Sequence, residues 1–357
     1  MGPEEFTINK NNQTQRIIFL DYLRVFAFLS VLIGHKFYTE LSQYISTFST
    51  PHITQKYLSN LFLSMFQGGG AGVVVFFMIS GYIILHVLQK EKPFEFIIKR
   101  IFRIYPLLIF AIFIQVLLSF LTSHSITDLG VILSQMSLMG DFINTPYALA
   151  GVEWTLRVEI FFYILMFLLS FTIFLKNKSY ILFSILAILT LSVKFISPFP
   201  TENFVGYFTS YFPFLFLGSV LYMYEKKRIN LLAFLIFVFI VFYRYFKAME
   251  DYSPHWQNSN FAIVGFSIFI ILWLTRNKLQ HLPNFINHYI TTFALLTYSV
   301  YLFHNFLWSY ISKFIGYIGM DNKFIVFLIL LLWCTLVYKL IETPMNKLGK
   351  MISKKVL

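Results

Sequence analysis

The chain has 357 residues, 58% of them hydrophobic and only 12% charged, with 45 phenylalanines and a mean hydropathy of +0.71. That mixture excludes an ordinary soluble domain and requires lipid as solvent. The net charge of +12 does not imply nucleic acid, because Lys and Arg fall in short clusters between apolar runs, the pattern of cytoplasmic membrane loops.

A hydrocarbon core needs roughly 20 helical residues. Ten segments approach that length, over 17–37, 70–88, 98–121, 155–175, 179–196, 207–224, 229–247, 259–275, 291–312 and 323–341. They predict an all-α, polytopic integral membrane bundle of about ten transmembrane helices, forming a single domain over 1–357 with polar tails over 1–16 and 342–357. The first run follows Arg16 like a signal peptide, but it contains Arg24 and lacks a small-residue cleavage site, so it is expected to stay as a helix. Counted over alternate loops, roughly two thirds of the Lys and Arg lie on the side of the N-terminus, which predicts that both termini are cytoplasmic. The longest outer loops are 38–68 and 122–153, and the stretch from Asn284 to His288 is either an interfacial helix or part of the ninth span. Cys334 stands alone in an apolar run, so neither an internal disulfide nor thiolate chemistry is expected.

Charged groups at membrane depth cost at least ~2.5 kcal/mol each and face an interior cavity or a functional path. In the first span these are Asp21, Arg24 and His35. Arg24 and His35 are close to three helical turns apart, on one face, with the histidine roughly 16 Å nearer the outer side. The bland alternative pairs Arg24 with a carboxylate and bonds His35 to a carbonyl. The second span opens after Gly68-Gly69-Gly70-Ala71-Gly72 and contains Ser80-Gly81-Tyr82, where glycines permit close helix packing or a mobile entry. In Lys99-Arg100-Ile101-Phe102-Arg103, Arg100 and Arg103 at i and i+3 make a fork for phosphate or carboxylate, or simply anchor the cytoplasmic end. Glu159, one turn into the fourth helix, is placed at the depth of His35, where it can orient an imidazole or bind a hydroxyl, or else pair with Arg157 or Lys36. His304 is assigned to packing. The remaining histidines, 52, 86, 124, 255, 281 and 288, show no metal-ligand spacing, and no phosphate loop, dinucleotide fingerprint or nucleophile elbow is present. No metal site is expected.

Taken in order, six stretches resemble the membrane-bound acyltransferase-3 family: Leu20-Asp21-Tyr22-Leu23-Arg24 with Gly34-His35; Gly72 to Tyr82; Arg100-Ile101-Phe102-Arg103-Ile104-Tyr105-Pro106; Trp154-Thr155-Leu156-Arg157-Val158-Glu159; Tyr298-Ser299-Val300-Tyr301-Leu302-Phe303-His304; and Ile341-Glu342-Thr343-Pro344. The resemblance covers nearly the whole chain. It implies an acyl-CoA donor on the cytoplasmic side and an acceptor hydroxyl outside, with acetyl the commonest group moved. By the same resemblance His35 and Arg24 are the first-helix pair required for transfer, Arg100 and Arg103 the arginines of the donor face, and Glu159 the acid of the fourth helix; Ser80 is grouped with the donor-binding residues. Val74 and Ile160 depart from the family pattern, which often has acidic residues there. No appended esterase-like domain is expected.

The function expected from these features is a membrane O-acyltransferase moving acetyl from cytoplasmic acetyl-CoA to a surface polysaccharide such as lipopolysaccharide O-antigen, or to a lipid-linked saccharide. The expected setting is a bacterial inner membrane, with no tightly bound cofactor. A saccharide transporter or exporter uses the same buried charges and glycine-interrupted helices, and would leave acyl-CoA intact. A structural or sensing subunit would bind neither donor nor acceptor.

Overall fold

The structure is a computed structural model that describes residues 16–48, 53–140, 145–172, 174–196, 202–252, 260–320 and 322–355. Most of the expected polar tail, parts of both long loops, and His52 and His255 lie outside the described residues.

Among the described residues all regular structure is helical. Helix α1 (Ile18–Lys36) leads into α2 (Tyr38–Phe48) and α3 (Ile53–Ser64), and a 3-10 turn (Gln67–Gly69) then starts α4 (Gly70–Leu88). There follow α5 (Pro93–Ser123), α6 (Leu129–Ser137), α7 (Trp154–Ser170), the short α8 (Phe174–Asn177), α9 (Ser179–Ile196), α10 (Glu202–Glu225), α11 (Leu231–Tyr252) and α12 (Asn260–Leu274). After α13 (Arg276–Gln280) come α14 (Asn284–Leu295), α15 (Thr297–Phe303) and α16 (Phe306–Tyr317), and the chain closes with α17 (Lys323–Val337), a π turn (Tyr338–Glu342) and α18 (Thr343–Lys355). Five of the described stretches are long and apolar enough to cross a hydrocarbon core: Ile18–Lys36, Gln67–Leu88, Pro93–Ser123, Leu231–Asp251 and Lys323–Lys355. The outside of the bundle is as apolar as the inside, with Phe239 71% and Leu332 67% exposed. A soluble monomer does not present such a surface to water, and lipid tails satisfy it.

Helix α4 lies at the centre, buried for most of its length between α1, α10 and α12. Without a hydrophobic drive between helices in lipid, packing depends on small residues that let backbones approach. At Gly81 a Cβ would stand 1.7 Å from the Leu215 carbonyl oxygen, and at Gly218 one would stand 2.0 Å from that of Met78. Ser219 Oγ crosses the same seam to donate to the Gly81 carbonyl at 2.9 Å. The other face of α4 runs antiparallel to α1: Gly72 meets Ser30 near one end, and the rings of Tyr82 and Phe19 meet edge-on at 5.7 Å near the other.

Two segments differ from the sequence expectation. The single helix expected over 291–312 is three pieces, α14 to α16, interrupted at Leu296 and at His304 and Asn305. Polar side chains make the interruption tolerable: Thr297 Oγ1 returns to the Ala294 carbonyl at 2.9 Å, and His304 meets the Tyr301 carbonyl. Non-helical backbone survives at depth only where protein groups satisfy it. Helix α5 is longer than expected, because Pro93 sits in its first turn, where proline lacks only a hydrogen bond that is unmade anyway.

Candidate active site

His35 lies on the last turn of α1, where it is exposed, and the broken α15–α16 segment brings His304 against it. His35 Nδ1 and His304 Nε2 are 3.1 Å apart, with ring centroids at 5.1 Å. His304 is 1% exposed, and its Nδ1 lies 2.7 Å from the Tyr301 carbonyl oxygen. Tyr301 is itself held to the α7 region, its hydroxyl donating to the Val152 carbonyl at 2.5 Å and lying 2.6 Å from Thr155 Oγ1. The rim is polar. Lys36 Nζ donates to Asn305 Oδ1 at 2.8 Å and sits 5.8 Å above the Trp308 ring, while Asn305 Nδ2 donates to the Ala150 carbonyl at 2.9 Å. Lys323 reaches the Lys36 carbonyl at 2.9 Å and pairs with Glu40, holding that carboxyl below its ordinary range.

A second polar centre lies toward the opposite ends of the same helices. Asp21, fully buried, accepts from Arg16 at 2.5 Å and from Arg24 at 2.6 Å, so Arg24 has the carboxylate partner of the bland reading. Arg103 carries charge close enough to act on Arg24, Arg100 and Glu342. Arg100 is buried over the rings of Phe96 at 5.5 Å and Tyr163 at 5.8 Å, and its Nε has no hydrogen-bond partner. Among the described residues no carboxylate lies within ion-pairing distance of Arg100 or Arg103. Next to them Glu159, itself buried, accepts from Ser80 Oγ at 2.5 Å and from the Tyr163 hydroxyl at 2.6 Å. The π turn aims Glu342 at Ser299, whose hydroxyl donates to it at 2.9 Å, and Tyr298 donates to the Ile104 carbonyl at 2.8 Å. A wound-in extra residue of this kind re-aims side chains and is frequent at functional sites.

The two centres are well separated. Since Tyr82 is level with Phe19, Ser80 and its partner Glu159 lie about 20 Å along α1 from His35, at ~1.5 Å per residue. The expected partnership of Glu159 with His35 is therefore corrected: the carboxylate belongs with Ser80, Tyr163 and the arginines, and the neighbour of His35 is His304. Arg157, over the Tyr147 ring at 4.4 Å, and Lys36, on Asn305, are not its partners either. Ser80 contacts Glu159 rather than facing open space. A small void lined by Ala27, Val31, Gly72, Phe76, Thr155 and Tyr301 lies at a depth between the two centres.

The sequence from residue 17 to residue 341 matches the acyltransferase domain of the acyltransferase-3 group. The chain belongs to the acyltransferase-3 family. Comparison with curated proteins and with solved structures gives no match. The acyltransferase-3 region takes in His35, His304, Arg24, Arg100, Arg103 and Glu159, and leaves outside it Arg16, Glu342 and α18. Two residues of these centres escaped sequence reasoning. The sequence assigns His304 to packing although it ends one of the six motif stretches, and Tyr163, one turn after Glu159, carries no signal beyond its i+4 spacing.

Proposed function

We propose that this membrane acyltransferase moves acetyl from cytoplasmic acetyl-CoA to a hydroxyl of a surface polysaccharide such as lipopolysaccharide O-antigen, in a bacterial inner membrane. About ten spans, a single domain and cytoplasmic termini belong to the same proposal. The observation that supports it is an exposed imidazole at one end of α1 and, at the other, two arginines that among the described residues have no carboxylate within ion-pairing distance. Arg100 and Arg103 present charge-assisted donors suited to the phosphates of CoA, with Arg24 adding positive charge beside them. Glu159 balances that charge and, by accepting from Ser80, ties α7 to α4, while Tyr163 of α7 lies against Arg100. The pantetheine arm then reaches into the bundle toward His35. No cofactor is retained between turnovers; the acyl-CoA is consumed as a substrate.

At the far end His35 takes the proton of the acceptor hydroxyl as general base, or carries the acetyl group transiently; both routes use the same exposed ring edge. The polar rim of Lys36, Asn305 and Trp308 suits a saccharide, with one aromatic face and several donors.

The test is CoA release from acetyl-CoA by the purified protein with a panel of surface glycans, with mass spectrometry of the products. Release with an acetylated glycan, lost in His35→Ala and accompanied by a roughly 10-fold or greater rise in KM for acetyl-CoA in Arg103→Gln, supports the assignment. Intact acetyl-CoA together with saccharide flux in proteoliposomes would replace it by transport.

A further inference from the structure

We propose that His304 is a positioning residue that fixes the tautomer of His35, so that Nε2 of His35 is the nitrogen that meets the acceptor hydroxyl. The inference rests on the acyl-transfer reading above. A carbonyl oxygen only accepts, so the 2.7 Å contact from the Tyr301 carbonyl places a hydrogen on His304 Nδ1. That carbonyl is free to accept because α15 stops at Phe303, which leaves the Tyr301 oxygen among the last-turn acceptors. His304 is almost wholly buried and, among the described residues, has no carboxylate against it, so a second ring proton would leave an uncompensated interior charge. Its Nε2 therefore carries a lone pair.

The 3.1 Å approach between that lone pair and His35 Nδ1 needs one hydrogen, and it must come from His35. The Gly68 carbonyl also acts on this ring; on our reading it lies on the Nδ1 edge and shares the Nδ1–H, so that a neutral His35 carries its own lone pair on Nε2. The order runs from a backbone carbonyl through a buried imidazole to an exposed one, and each step is set by the one before. Tyr301 holds the start of this chain in place, because its side chain is tied to the Val152 carbonyl and to Thr155.

For the reaction, the hydroxyl proton passes to His35 Nε2 as the hydroxyl oxygen bonds to the thioester carbon; the C–S bond then breaks and CoA leaves as a thiolate, which takes the proton back. While His35 is doubly protonated, its Nδ1–H points at the lone pair of His304, and that charge-assisted bond strengthens as the positive charge develops. His304 does this without touching the substrate.

The experiment compares kcat and KM for acetyl-CoA in wild-type protein, His304→Leu, His304→Gln and His35→Ala, with the glycan of highest turnover. A 15N spectrum of the imidazole nitrogens of the wild type is recorded alongside, with the His35 signals assigned by their loss in His35→Ala. His304→Leu should lower kcat roughly 100-fold with KM for acetyl-CoA little changed. His304→Gln should regain at least about tenfold of that loss, because its amide oxygen accepts the same Nδ1–H. The spectrum should show His35 protonated on Nδ1 and bare on Nε2. Transfer that survives in His35→Ala would overturn the acyl-transfer centre and this inference with it. An inactive His35→Ala beside a fully active His304→Leu, a His304→Gln no better than His304→Leu, or a hydrogen on His35 Nε2 would overturn this inference alone. The spectrum needs no variant of His304, so it decides the point even if those variants fail to fold.

Discussion

Replacing Gly81 by alanine should separate the central helix pair. The added carbon would meet the Leu215 carbonyl oxygen at 1.7 Å, half the 3.4 Å at which ordinary contact begins, and the atoms in its way are backbone. Backbone cannot rotate aside as a side chain can, so α4 and α10 must move apart. Overpacking of this kind costs about 1–3 kcal/mol, and losing the Ser219 hydroxyl bond to the Gly81 carbonyl adds about 1 kcal/mol. With an unfolding entropy of roughly 2.1 cal/mol/K per residue, a total of about 2–4 kcal/mol lowers the melting temperature by about 3–5 °C, read by intrinsic fluorescence in detergent. Acyl transfer should fall as well, because Ser80 moves with Gly81 and loses its geometry on Glu159. Gly316, where an added Cβ would meet nothing within 4 Å, is the control. Alanine there should be neutral or stabilise by up to ~1 kcal/mol. If Gly81→Ala melted with the wild type and Gly316→Ala did not differ from it, the close approach of α4 and α10 would be wrong.

Ser80→Ala and Tyr163→Phe should each cost about 1.5–3 kcal/mol, since each removes a donor to a buried carboxylate, and both hydroxyls meet the same oxygen of Glu159. A double-mutant cycle read by denaturant unfolding in detergent should therefore show a coupling of roughly 0.5 kcal/mol or more, and additivity within about 0.3 kcal/mol would refute the shared contact. Asp21→Asn should destabilise by about 3–5 kcal/mol, because it leaves Arg24 facing a neutral amide at a fully buried position. Adding Arg24→Gln should recover part of that loss, and a double variant worse than the sum of the singles would count against the pair.

Much of this protein is legible in its residues alone. Composition demands lipid, the apolar runs mark where helices lie, and the six motif stretches identify the family, because each of these depends on residue type and order. The same reasoning found the polar positions inside apolar runs: Asp21, Arg24, His35, Arg100, Arg103 and Glu159. It failed on which of them meet. Sequence places Glu159 beside His35 and leaves His304 to packing, whereas His35 and His304, 269 positions apart in the chain, stand 3.1 Å apart in space. Hydropathy locates a span but says little of its vertical offset or its rotation about its own axis, and one residue of slip moves a side chain by ~1.5 Å and about 100°. Only the tertiary packing decides those two quantities: the backbone approach at Gly81 and Gly218 sets α4 against α10, the α1–α4 contact sets the depth of Ser80 and so of Glu159, and the break after α15 turns His304 inward onto His35.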